Sequence, residues 1–150
     1  MKSSILIWLL VIGCSGGVAQ GCDCDRLTPA EAATKADIVF SGRLTKVTAG
    51  TRADPGRAFF KVERVWKGSV GIEVEVAAIK ADTDCLGFQQ AMMMPGSELL
   101  VYAVRSPFGD PPKMRFATFA CGRTNFLRLA RGDVASLGAG QKPRSSRSPH

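Results

Sequence analysis

Five cysteines stand at positions 14, 22, 24, 85 and 121, and their placement constrains the fold more than any other feature. Cys14 falls in a stretch that reads as an export leader. Lys2 gives it a positive start. Ile5 to Ile12 is an apolar run too short to cross a bilayer, which needs about 20 residues. Gly13 to Gly21 is small and polar. Cleavage fits after Ala19, Gln20 or Gly21, and Ala19-Gln20-Gly21 before Cys22 matches a small-x-small rule. Residues 1–21 are therefore expected to be a signal peptide and the protein to be exported, periplasmic or extracellular. Val11-Ile12-Gly13-Cys14 also matches a loose lipobox, which would make Cys14 a lipid anchor. No other segment is apolar enough for a transmembrane span. Loss of the leader leaves Cys22, Cys24, Cys85 and Cys121, an even set in an oxidising compartment, so two disulfides are expected. Three pairings are formally open. Cys22–Cys24 would close a strained, tiny ring. Each of the others ties the N-terminal segment to two distant points, worth roughly 4–5 kcal/mol per bridge in the chain-entropy picture.

The rest of the composition narrows function by exclusion. The chain has 150 residues, 45% of them hydrophobic, enough for one domain with a packed core. Its single histidine is His150. No Ser/His or Cys/His pair and no multi-histidine metal site can be assembled. Cys22-Asp23-Cys24-Asp25 has neither the C-x-x-C spacing of a redox dithiol nor the paired ligands of a zinc site. An enzyme, a cofactor and an intrinsic metal are not expected. Lys and Arg number 20 against 13 Asp and Glu, a net charge of +7. Part of that excess lies in residues 138–150, where Lys142, Arg144 and Arg147 sit among Gly, Ser and Pro. This segment reads as a disordered basic tail, leaving residues 22–137 as the folded body.

Along that body, Thr28-Pro29-Ala30-Glu31 opens a short helix. Thr28 caps it, Pro29 suits its first position and Glu31 completes a capping box. The helix is expected to end near Ala36. Ile38 to Val47 follows as a strand, in which Gly42 predicts a bulge or a close backbone crossing. Residues 48–57 read as a loop and Phe59 to Trp66 as the second strand. Ile72, Val74 and Val76 alternate with Glu73 and Glu75, a half-buried third strand. Residues 81–97 read as a loop. Glu98 to Val104, apolar on both faces, is the fourth strand, and Lys113 to Phe119 the fifth. Thr124 or Asn125 is expected to cap a C-terminal helix, with Leu127, Ala130, Val134 and Leu137 on one face and Gly132 weakening it. Five strands flanked by two helices predict a mainly β chain closed into a small barrel.

The motifs, taken in order, resemble the netrin-like module, and specifically the bacterial single-domain relatives of the tissue inhibitors of metalloproteinases. They are Cys22-x-Cys24, Ala36-Asp37-Ile38-Val39-Phe40-Ser41-Gly42, Phe60-x-Val62-x-x-Val65-Trp66-Lys67-Gly68, Cys85, Gly96-x-x-Leu99-Leu100-Val101-Tyr102-Ala103 and Cys121-x-Arg123-Thr124. The likeness spans about residues 22–138. It implies an OB-fold, a five-stranded Greek-key barrel, with disulfides Cys22–Cys85 and Cys24–Cys121. It also implies inhibition of a zinc metalloendopeptidase. The α-amino nitrogen and carbonyl oxygen of an N-terminal Cys22 would chelate the protease zinc as a five-membered ring. Asp23 would enter the protease's primary side-chain pocket. Cys24 and Asp25 would line the ridge, with the loop Asp84-Cys85-Leu86-Gly87 alongside. The expected partner is a zinc metalloprotease or another envelope or extracellular protein, met by a monomer. The alternative is a non-inhibitory binding module that uses the barrel and its loops.

Other motifs have simpler expectations. Arg131-Gly132-Asp133 spells an adhesion tripeptide but falls in a helix. Phe59, Phe60 and Trp66, near Arg57, Lys61, Arg64 and Lys67, are a stacking pattern for nucleic acid. Alternation nevertheless sends Phe60 and Val62 into the core, and no nucleic-acid partner is expected. Met92-Met93-Met94 is expected to pack at the barrel mouth, and Glu73 and Glu75 to face solvent.

Overall fold

The computed structural model describes residues 24–50, 56–78, 87–106, 116–119 and 121–145. The capping box forms as the sequence predicts and starts α1, Pro29–Lys35. Thr28 Oγ1 accepts from the Glu31 amide at 3.3 Å, and Glu31 Oε2 accepts from the Thr28 amide at 2.7 Å. The Thr28 amide and hydroxyl hold the Glu31 carboxyl below the ordinary carboxylate range. At the other end, Lys67 Nζ donates to the carbonyls of Ala33 and Thr34 at 2.7 and 3.0 Å, a cation where the helix dipole favours one.

Five strands close into a barrel: β1 Ile38–Thr48, β2 Arg57–Lys67, β3 Glu73–Ala77, β4 Glu98–Arg105 and β5 Phe116–Ala117. The ring runs β1-β2-β3-β5-β4 and back to β1. All neighbours are antiparallel except β3 and β5, which pair in parallel. Inside the expected loop before β4, a 3₁₀ turn at Gln90–Met93 drops Met92 into the core. Met93 packs against that core and Met94 is exposed.

Strand alternation makes two apolar layers from one sheet. Inward residues fill the barrel around Phe40, whose ring meets Phe60 edge-on at 5.5 Å, while Phe60 meets Phe88 at 5.7 Å. Outward residues Val39, Leu100 and Tyr102 form a second cluster with Ala32 and Ala36 of α1 and with Ala130. β4 is apolar on both faces for that reason. Leu99, Val101 and Ala103 point into the barrel, and Leu100 and Tyr102 lie under the helices. β1 serves both layers by bending, with register shifts that include one at Ser41/Gly42. A Cβ on Gly42 would sit 2.7 Å from the Lys61 carbonyl oxygen, so both the bulge and the close crossing predicted there are present.

Two expectations need correction. The C-terminal helix does not start at Thr124 or Asn125. Asn125–Phe126 is a sixth strand, β6, paired with Leu100 and Leu99 of β4. Leu127 N donates to Glu98 O at 2.8 Å. The edge of β4 away from β1 needs backbone partners there, and that need outweighs helix propensity. The helix, α2, is Arg131–Leu137, with Ala130 at its N-cap and no side-chain cap. It runs through Gly132 unbroken, and Ala130, Val134 and Leu137 do face the core.

The tail over 138–150 is also not free where it is described. Residues 138–145 strap the stretch of β2 that short β3 leaves unpaired. Trp66 Nε1 donates to Gly138 O at 2.8 Å, and Arg64 donates to Ala139 O. Val65 and Gln141 exchange two backbone bonds of 2.8 and 2.7 Å, and Arg144 N donates to Val70 O at 3.0 Å. Gly140, at φ +64°, passes against the Arg64 stem and the Trp66 ring, where a Cβ would lie 2.8 and 3.0 Å away. An exposed strand edge is a liability, and a polar strap removes it.

Two outcomes follow for stability. Gly42→Ala is expected to destabilise by about 1–3 kcal/mol through overpacking. Gly132→Ala, in open space on α2, is expected to stabilise by up to about 1 kcal/mol; urea midpoints read both. Trp66 is the one tryptophan after residue 21. Deleting residues 138–150 is expected to red-shift its emission and lower the urea midpoint. An unchanged spectrum would mean the strap does not cover the ring in solution.

Candidate functional site

The site begins with an interruption of the barrel wall. β5 and β6 lie on the same edge of β4, and the chain leaves that edge between them. The Tyr102 backbone would otherwise lack a strand partner there. The Thr124 hydroxyl supplies one, accepting from Tyr102 N at 3.0 Å and donating to Tyr102 O at 3.3 Å. Thr118 Oγ1, 2.7 Å from Thr124 Oγ1, ties the neck of the excursion. Gly87 N donates to Thr118 O at 2.6 Å, so Gly87 lies beside this neck, while Asp84, Cys85 and Leu86 lie outside the described residues.

The excursion carries Cys121 and Arg123 to the N-terminal segment. Cys121 is bonded to Cys24, with 5.1 Å between their Cα atoms and a sequence separation of 97. Arg123 Nη1 donates to Leu27 O at 2.7 Å. The segment is also folded on itself, Leu27 N donating to Asp25 O at 3.0 Å, and Thr28 enters the capping box. Cys24 and Asp25, two of the four predicted ridge residues, are exposed at this edge. Cys22, Asp23 and Cys85, and with them the Cys22–Cys85 bridge, lie outside the described residues.

Arg123 is held from behind by α2. Its Nε and Nη2 both bond the Asp133 carboxylate, at 2.6 and 2.5 Å. Tyr102 Oη donates to the same carboxylate at 3.1 Å. Asp133 is buried, its side chain 8% exposed, against 35% for Arg123. A buried carboxylate is sustained by such pairing and is costly without it. Asp133 holds Arg123 above the ordinary guanidinium range. Burial first, then the charge and hydrogen bond of Asp133, push the Tyr102 phenol well above its ordinary value. Sequence reading did not single out this triad as a unit. A signal was present: Asp133 is three residues after Ala130 and four before Leu137, on the inward face of α2. The same contact removes Asp133 from any adhesion role for Arg131-Gly132-Asp133.

Two recesses flank the Cys24–Cys121 bridge. A polar one of about 440 Å³ is lined by Asp25, Arg26, Gln89, Arg123 and Asn125 among others. An apolar one of about 280 Å³ lies between α1 and the excursion, lined by Leu27, Ala36, Tyr102, Val104 and Phe119 among others. The remaining candidates fall elsewhere. Phe60 and Val62 are buried in the barrel as alternation requires. Trp66 is taken up by the strap, and Lys46 sits over the Phe59 ring. Glu73 is exposed as expected, but Glu75 is half-buried and pairs with Arg57 at 3.4 Å.

Among the described residues there is no cluster of three or more His, Cys, Asp or Glu able to hold a metal. No described helix is long and apolar enough to cross a membrane. No family model matches the chain, and no curated protein matches it.

The triad sets a spectroscopic expectation. Tyr102 is the only tyrosine, so the rise in absorbance near 295 nm on raising pH reports its ionisation alone. Its phenol pKa is raised in the folded state. The stabilising contribution is therefore complete below the unfolded value of about 10 and is lost as pH rises above it. The folded chain is expected to show no phenolate at a pH where the urea-unfolded chain has ionised. Asp133→Asn is expected to bring the folded titration down towards the unfolded one.

Proposed function

We propose that the chain is an exported member of the netrin-like group. We take its barrel to be an OB-fold and its N-terminal edge, Cys22 to Asp25, to inhibit a zinc metalloendopeptidase. The strand order 1-2-3-5-4-1 with its one parallel pair supports the fold reading. The observation that carries the functional reading is the seating of Cys24. A disulfide and an arginine fix residues 24–27 to the barrel rim, so whatever precedes Cys24 leaves from a rigid base. Rigid presentation lowers the entropy cost of binding an extended edge.

In this reading the protease supplies the zinc. A free α-amino group on Cys22, once deprotonated, and the Cys22 carbonyl oxygen are the ligands, displacing the attacking water. The amine must shed a proton of unperturbed pKa about 8, so inhibition strengthens as pH rises towards that value. Asp23 would suit a protease whose primary pocket carries a cation, because an unpaired carboxylate buried in an apolar pocket is costly.

A chain extended by one alanine before Cys22 tests this. The extension acylates the nitrogen and displaces the amine. Expected is loss of inhibition of a zinc metalloprotease that the chain starting at Cys22 inhibits, with unchanged circular dichroism. Equal inhibition by both would sink the chelation mechanism. No inhibition by either, across proteases of varied primary pocket, would favour the non-inhibitory binding module.

A further inference from the structure

We propose that Arg123 is the positioning residue of the N-terminal edge. Its guanidinium converts the fixed position of α2 into a fixed position of the Leu27 carbonyl, and so orients the described part of the edge, Cys24 and Asp25. Its bearing on inhibition rests on the reading above; the clamp itself does not.

Three directed donors of one planar group are used, two on Asp133 and one on Leu27 O. Lysine has the charge but not this fork. Asp133 is in turn fixed by Tyr102 of β4, so the clamp is anchored to the barrel wall as well as to α2. The disulfide holds the segment at Cys24, and the Leu27 side chain packs against the outer apolar layer. The Arg123–Leu27 bond adds a directed hold on the main chain between them, and the capping box at Thr28 fixes the far end.

The test is Arg123→Lys in the oxidised chain, read by amide exchange and by inhibition. The Leu27 amide, bonded to Asp25 O, reports the segment, and the Val101 amide reports the barrel. Expected is Leu27 exchange faster by roughly tenfold to a hundredfold, the range for losing one hydrogen bond to a charged donor, with Val101 unchanged. Inhibition should weaken by a similar factor. Asp133→Asn, which leaves an acceptor oxygen for Arg123, should give a smaller acceleration of Leu27, and it runs the same test if Arg123→Lys folds poorly. Unchanged Leu27 exchange, or equal acceleration at Leu27 and Val101, would overturn the clamp and leave Arg123 a general stabiliser. Faster Leu27 exchange with full inhibition would overturn its role in positioning. Absence of inhibition by the unaltered chain would count against the inhibitor reading, while Leu27 exchange would still decide the clamp.

Discussion

The N-terminal side of the molecule depends on how one strand edge is satisfied. β4 is buried on both faces, so its backbone cannot turn to water for hydrogen bonds. β1 serves one edge along its length. The other edge is shared by β5 and β6, with a gap at Tyr102. The Thr124 hydroxyl closes that gap. Because a side chain can stand in for a strand there, the main chain is released to travel outward with Cys121 and Arg123. The disulfide, the salt bridge to α2 and the seating of residues 24–27 all follow from that release.

The ends of the barrel are managed by different means. Lys67 binds the carbonyl end of α1 and couples β2 to the outer layer. The strap over 138–145 pairs the part of β2 that β3 does not reach. Exposed pairs such as Arg43 with Glu98 cross strands at the surface, where ion pairs add little. The Arg123–Asp133–Tyr102 group is the electrostatic feature on which local geometry turns, since loss of Arg123 or Tyr102 leaves the buried Asp133 carboxylate short of a partner.

What was legible in the sequence was what local chemistry decides. Thr28 and Glu31 announce a helix start, Gly42 a crossing too close for a side chain, and the doubly apolar Glu98–Val104 segment a strand between two layers. What was not legible depended on partners distant in sequence. Thr124 and Asn125 look like helix caps until the open edge of β4 claims them. Residues 138–145 look like a free tail because nothing local shows that Val65 and Trp66 lack partners. Asp133 sits in an adhesion-like tripeptide, and its ion pair with Arg123 appears only once α2 is packed on the barrel. Of the four residues expected to form the inhibitory edge, Cys24 and Asp25 are at the rim beside the excursion, and Cys22 and Asp23 lie outside the described residues.

Chelation by a rigidly seated segment requires that the segment present a free N-terminal cysteine. Intact mass and N-terminal sequencing of the protein recovered after expression of the full sequence decide this. Expected is a chain beginning at Cys22, with a mass about 4 Da below the fully reduced value, since each of two disulfides removes two hydrogens. A start at Gln20 or Gly21, or a lipid on Cys14, would contradict it, because the Cys22 nitrogen would then be an amide and could not chelate zinc.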